Sequence, residues 1–189
     1  MAGCLKPRRG VPRLWLLSDP RRLPDPRGAM RRLPRGAAVL LRGTLPALRP
    51  AIARLARARG LALFVGGDGR AALALRAGLH LPDRAGCPGL LPFLAARRRG
   101  APFARLSLAV HGRGGRARAA RLRGDAALVS PAFPTASHPG APALGPLRWA
   151  ALARRLPCPV VALGGVSGAT AARLPRRWLA GLAAIGALA

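Results

Sequence analysis

At 189 residues, with 51% hydrophobic side chains, the chain has the apolar content for one domain with several buried strands, and a disordered polymer is excluded. The formal net charge is +28, but the arginines are spread from Arg8 to Arg177 and aromatics make up only 4%, so charge alone does not define a nucleic-acid surface. The longest nearly apolar run, residues 178–189, falls short of the roughly 20 residues that cross a bilayer, which argues against a membrane partner.

Lys6 is the only lysine, and the sequence contains no Glu, Gln or Asn. Such a skew toward Ala, Arg, Gly and Pro reads as coding bias. The basic start (Lys6, Arg8, Arg9) is followed by Pro12 and Arg13, which interrupt any secretory apolar segment. Cys4, Cys87 and Cys158 are odd in number and lack metal-ligand spacing, as expected of thiols in a reducing cytoplasm.

In chain order, short apolar runs at Leu14–Leu17, Ala38–Leu41, 62–65, 79–81, Leu106–Val110, Ala126–Val129, Val160–Leu163 and 182–185 predict eight strands. Between them lie segments of helical period. Over 51–59, Ile52, Leu55 and Ala56 share a face while Arg54 and Arg57 turn outward; over 147–156, Leu147, Ala151 and Leu152 repeat the pattern. Strands apolar on both faces are those of a parallel sheet covered by helices. Eight of them alternating with helices predict an α/β fold, a compact (β/α)8 TIM barrel over residues 1–189 with its last helix short or absent. A doubly wound open sheet is the alternative, but the turn after Leu17 reads Ser18-Asp19-Pro20, not G-x-G-x-x-G.

In such a barrel function gathers at the C-terminal strand ends. Those ends carry Asp19, Arg42 with Thr44, Asp68, His80 with Asp83, His111, the Thr135–His138 segment, Gly164-Gly165-Val166-Ser167, and Ile185-Gly186. Asp125 precedes its strand and belongs to the opposite, stabilising face. Bland roles stand beside these. Asp68 suits a helix cap, Asp83 a turn and His80 the barrel interior. His111 suits either a loop or proton transfer; Thr135 and Ser137 could bond only their own turn; the paired glycines could form a tight turn.

The segment Ser130-Pro131-Ala132-Phe133-Pro134-Thr135-Ala136-Ser137-His138-Pro139-Gly140 resembles the F-P-T-x-(S/T)-K-x-G loop of the thiamine phosphate synthase/TenI family, with His138 in the lysine's place. The likeness runs over nearly the whole chain. Leu14-Trp15-Leu16-Leu17-Ser18-Asp19 is similar to L-Y-L-I-T-D, and Val39 to Thr44 to Q-L-R-x-K, with Leu40 for Gln and Thr44 for Lys. Phe64-Val65-Gly66-Gly67-Asp68 is similar to the I-N-D strand end, Gly78-Leu79-His80-Leu81 to G-V-H-L, and Ala109-Val110-His111 to S-x-H. Ala162-Leu163-Gly164-Gly165-Val166 resembles A-I-G-G-I, and Ala184-Ile185-Gly186-Ala187 the V-x-S-A end.

The resemblance implies phosphorylated small-molecule substrates. The synthases join a hydroxymethylpyrimidine diphosphate to a thiazole phosphate and release diphosphate, using Mg²⁺. On that pattern Asp68 and Asp83 would be the metal ligands, Asp83 falling slightly early. Arg42, Thr44, Thr135, Ser137 and His138 would hold the diphosphate and pyrimidine. Gly164, Gly165, Val166, Ile185 and Gly186 would offer amides to the thiazole phosphate. The TenI branch instead implies a thiazole tautomerase without metal, with His111, alongside His138, as the catalytic histidine. A non-catalytic phosphate-ligand or nucleic-acid-binding barrel is the remaining alternative, and a homo-oligomer is compatible with any of them.

Overall fold

Every strand of this chain alternates between two apolar environments, and the alternation closes the sheet. The computed structural model describes residues 10–83, 86–135, 140 and 142–185. Eight parallel strands, β1 (Leu14–Leu17), β2 (Ala38–Leu41), β3 (Ala62–Gly66), β4 (Gly78–Leu81), β5 (Leu106–Val110), β6 (Ala126–Val129), β7 (Val160–Leu163) and β8 (Leu179–Ala184), pair in sequence order, and β8 returns to β1. The result is a closed barrel. The expected strands all form; β8 begins three residues early, at Leu179.

Between the strands lie α1 (Arg27–Met30), α2 (Arg49–Ala58), α3 (Gly69–Ala74), α4 (Leu90–Arg98), α5 (Arg113–Arg121), α6 (Gly145–Ala153) and α7 (Gly168–Ala171). The helix expected over 51–59 is α2, and the one over 147–156 is α6. The expectation of a short or missing last helix lies outside the described residues.

Inward-facing Trp15, Leu17, Ala38, Leu40, Phe64, Ala126, Leu128, Val161 and Ala183 form one cluster inside the ring. Their neighbours Leu16, Val39 and Leu41 point outward and pack on Ile52 and Ala56 of α2. Period-2 alternation therefore fills two layers at once, as side chains on opposite faces of a strand must. Trp15 and Phe64 meet with ring centroids 4.7 Å apart. A Cβ on Gly78 would lie 2.6 Å from the Phe64 ring, so β4 presents a glycine where the large ring crosses the interior.

The N-terminal end of the ring is shut. Trp15 Nε1 donates to the Pro12 carbonyl at 2.7 Å, and Val11 packs against the interior cluster. Arg97 of α4 donates to both carboxylate oxygens of Asp125 and to the carbonyls of Ala104 and Arg123, while Asp125 also accepts from Leu106 N at 2.7 Å. Asp125 thus sits on the stabilising face, as its place before β6 predicted. A surface cavity of about 400 Å³ lies at this end against Arg97, Arg105 and Asp125, whereas the larger opening, which the strand-end residues line, is at the other end.

Candidate active site

The C-terminal mouth holds a cavity of about 630 Å³, within the usual range for a small-molecule site. Among its lining residues are Arg42, His80, Asp83, His111, Thr135 and Gly164. Ile185, at the end of β8, completes the wall. Asp68, Gly165 and Val166 are not among the residues that line it. Ser137, His138 and Gly186 lie outside the described residues. Sequence-derived positions from β2, β4, β5, β6, β7 and β8 therefore share one mouth.

Arg42 is placed by its backbone. Ser18, fully buried after β1, accepts from Arg42 N at 2.7 Å and lies 3.2 Å from the Arg42 carbonyl. The Ser18 hydroxyl also meets Thr44 Oγ1 at 2.8 Å. Thr44 is 3% exposed, so its hydroxyl braces the β1 and β2 loops from behind the cavity. A lone serine after a strand has no distinguishing pattern, so this role of Ser18 is not legible in the sequence. No hydrogen bond or ion pair engages the Arg42 guanidinium among the described residues.

The floor is formed by His80. Its Nδ1 lies 3.0 Å from Ser107 Oγ, the residue facing it across the β4–β5 pairing, and Ser107 is fully buried. Burial, then the charges of Arg42, Arg118 and His111, pushes the His80 imidazole down to about 3, so the ring is neutral at physiological pH. Its place inside the barrel is the one expected from the sequence. Ser107 went unnoticed there because it reads as one polar residue in an apolar strand.

His111 follows β5 at the rim. Its Nδ1 lies 2.8 Å from the Ser130 carbonyl and 3.3 Å from the Ser130 hydroxyl. A carbonyl only accepts, so Nδ1 carries the proton and Nε2 is the basic nitrogen left for a ligand.

The loops after β6 and β7 are built as one unit. Ala132 N donates to Leu163 O at 2.8 Å, and Phe133 N to Gly164 O at 3.0 Å. At Gly165, φ is +62° and an added Cβ would lie 2.3 Å from the Pro134 carbonyl. The glycine pair thus lets the phenylalanine-proline-threonine loop lie directly on the β7 end. Beyond it, Ser167 caps α7 through a reciprocal capping box with Thr170, whose hydroxyl also donates to Gly165 O at 2.9 Å.

The two candidate metal carboxylates are already engaged. Asp68 accepts from Ala71 N at 2.9 Å, capping α3, and its second oxygen lies 3.4 Å from Arg49 of α2. Asp83 lies 3.4 Å from Arg118 of α5, which also donates to Ala109 O at 3.3 Å. No group of three His, Cys, Asp or Glu side chains gathers among the described residues. Magnesium is held by one or two carboxylates with waters and ligand phosphates. Here each carboxylate faces a guanidinium instead, and the donor set suits a dication poorly. Arg118 was the least visible residue of the site, since one arginine of many on a helix reads as solvated.

Comparison with known proteins accounts for this arrangement. No curated protein matches the sequence. Among solved structures, thiamine phosphate pyrophosphorylase from Pyrococcus furiosus superposes with a TM-score of 0.72 at 21% identity, covering 92% of this chain and 85% of that one. That likeness establishes the fold. The family model for thiamine monophosphate synthase, TMP-TENI, matches residues 44–188, from the end of the β2 loop past β8, and so takes in six of the eight strand ends that build the mouth. With fold, strand-end residues and family model in agreement, the chain belongs to the thiamine monophosphate synthase family.

Proposed function

We infer that this barrel acts on a phosphorylated thiazole and moves a proton on its ring, the isomerase chemistry of the TenI branch. The observation that carries this reading is the His111 Nδ1–Ser130 carbonyl contact of 2.8 Å at the cavity rim. It fixes one tautomer and leaves Nε2 as a base within reach of a bound ring. His111 takes a proton from one ring position and returns it at another, so the reaction is balanced without a co-reactant. Arg42 supplies charge for the phosphate, and the loop holding Gly164, Gly165 and Val166 offers backbone amides to it. The neutral His80 contributes a hydrogen bond at the floor without adding a second base.

The experiment is isomerisation of the phosphorylated thiazole followed by NMR. A loss of about 100-fold or more in His111→Ala is expected for removal of a general base. Unchanged turnover in that variant overturns the proton-transfer role.

A second reading is the family's condensation of hydroxymethylpyrimidine diphosphate with thiazole phosphate. It is favoured by the family model and by the match to a thiamine phosphate pyrophosphorylase. Release of diphosphate from the two substrates, dependent on Mg²⁺ and lost in Asp68→Asn, would establish it over the first. In either case the partners are phosphorylated small molecules. No helix among the described residues is long and apolar enough to cross a membrane. Cys87 is a free thiol, in keeping with a cytoplasmic enzyme.

A further inference from the structure

We propose that this barrel binds its phosphorylated ligand with guanidinium charge alone, Arg49 and Arg118 standing at the strand-end aspartates where a divalent cation would otherwise be held. The proposal rests on the reading that the mouth takes a phosphorylated ligand, and it adds how the anion is neutralised.

The first support is the inventory of acids. The chain has five carboxylate side chains, all aspartate. Asp25 is held by Arg27, with Nε–Oδ2 and NH2–Oδ2 contacts of 2.9 and 2.7 Å. Asp125 is locked by Arg97 at the far end of the barrel. Asp19 accepts from Arg21 N and Arg22 N, each at 3.1 Å. Asp19, Asp68 and Asp83 are thus what the strand ends can offer a metal, and each faces an arginine, Arg22 at 3.7 Å for Asp19 and Arg49 and Arg118 at 3.4 Å for the other two. A magnesium ion entering there would meet guanidinium charge beside every available carboxylate.

The second support is the sign of the field. Four guanidiniums, Arg22, Arg42, Arg49 and Arg118, accompany three carboxylates, Asp19, Asp68 and Asp83, so the rim is net positive before any ligand arrives. A positive rim repels a free dication and attracts a phosphate. Arginine also presents a fork matched to phosphate oxygens, which gives it directional bonds that a point charge lacks.

The third support is unspent donor capacity. The Nε atoms of Arg49 and Arg118 are buried with no hydrogen-bond partner among the described residues. Their bonds to aspartate are long and single. An arginine used only as a structural brace is better satisfied, as Arg97 is. These two retain donors that a small rearrangement can turn toward an anion.

The test uses inorganic diphosphate as probe on the full chain, with affinity measured by calorimetry in excess EDTA and then in millimolar Mg²⁺. The expected result is saturable binding in EDTA that Mg²⁺ does not strengthen. Asp68→Asn, which retains a good helix cap, and Asp83→Asn should each tighten diphosphate binding by about twofold to fivefold, since each removes a negative charge beside the anion. Arg118→Met should weaken it. As an independent readout, the free Mn²⁺ electron paramagnetic resonance signal should persist when protein is added without anion. Binding seen only with Mg²⁺, affinity lost in Asp68→Asn, depletion of free Mn²⁺, or no diphosphate binding under either condition each overturns the proposal. Failure of isomerisation alongside intact metal-free binding would remove the proton-transfer reading and leave this one standing.

Discussion

Both ends of the barrel carry arginine–aspartate pairs, and the two ends build them differently. At the closed end, Arg97 grips both oxygens of Asp125 and two backbone carbonyls, and Asp125 accepts a further amide bond from Leu106. At the open end, Arg118 reaches Asp83, and Arg49 reaches Asp68, by single contacts of 3.4 Å. The closed pair satisfies its groups as a half-buried ion pair must if it is to stabilise a fold. The open pairs leave buried Nε atoms without acceptors, so the mouth carries polar groups that the fold alone does not satisfy. The same two residue types thus brace the structure at one end and leave donors unsatisfied at the other.

The comparison breaks most sharply at Arg97. Arg97→Met should cost about 2–4 kcal/mol, because it strips Asp125 of its counter-charge while two carbonyls lose donors. Thermal unfolding would report this as a melting point lower by roughly 5–15 °C. A loss below about 1 kcal/mol would show that the closed pair is no more structural than the open ones. Next in size is Gly165→Ala. A positive φ and a Cβ 2.3 Å from the Pro134 carbonyl mean that the loops after β6 and β7 must part. Urea denaturation should show a loss of about 2 kcal/mol, with diphosphate affinity falling alongside.

The pH dependence at His80 separates the ends in another way. Burial and the neighbouring Arg42, Arg118 and His111 charges hold its folded-state titration at about 3, below the 6.5 of an unperturbed histidine. Between those values the unfolded chain binds a proton that the native chain refuses. Its contribution to stability is therefore complete above about pH 6.5 and is lost as pH falls toward 3, with a slope of at most about 1.4 kcal/mol per pH unit. In His80→Gln that segment of the slope should flatten between about pH 6 and 5, above the range where the aspartates titrate. An identical acid profile in the variant would mean that the native barrel admits the proton.

How much of this could be read from residues follows from where the information lies. The strands were legible because runs such as Ala126–Val129 are apolar on both faces and bounded by Gly or Pro. Their ends named the mouth, since a barrel places its sites there. The early start of β8 was hidden by Gly181, which breaks the apolar pattern. It is glycine because a Cβ there would lie 2.7 Å from the Pro12 carbonyl, a contact made across the barrel's closed end. Arg118 and Ser107 were hidden for the same reason: each acts on a residue from another element, Asp83 or His80, and no local pattern marks such a partnership. Thr44 was legible as a strand-end hydroxyl but not as one turned toward Ser18, because direction is set by the neighbouring loop.

The smallest expected effect is the one that most tests the contrast between the ends. Arg118→Met removes a cation whose contact with Asp83 is long and whose side chain is 20% exposed. A pair of that kind is worth at most about 1 kcal/mol, and the methionine retains the apolar stem packed along α5. The variant should therefore unfold within about 1 kcal/mol of the parent in urea. Its diphosphate affinity, measured on the same preparation, should fall by a larger factor than that stability change could produce. A stability loss as large as that of Arg97→Met would place Arg118 among the braces and remove the distinction between the two ends of the barrel.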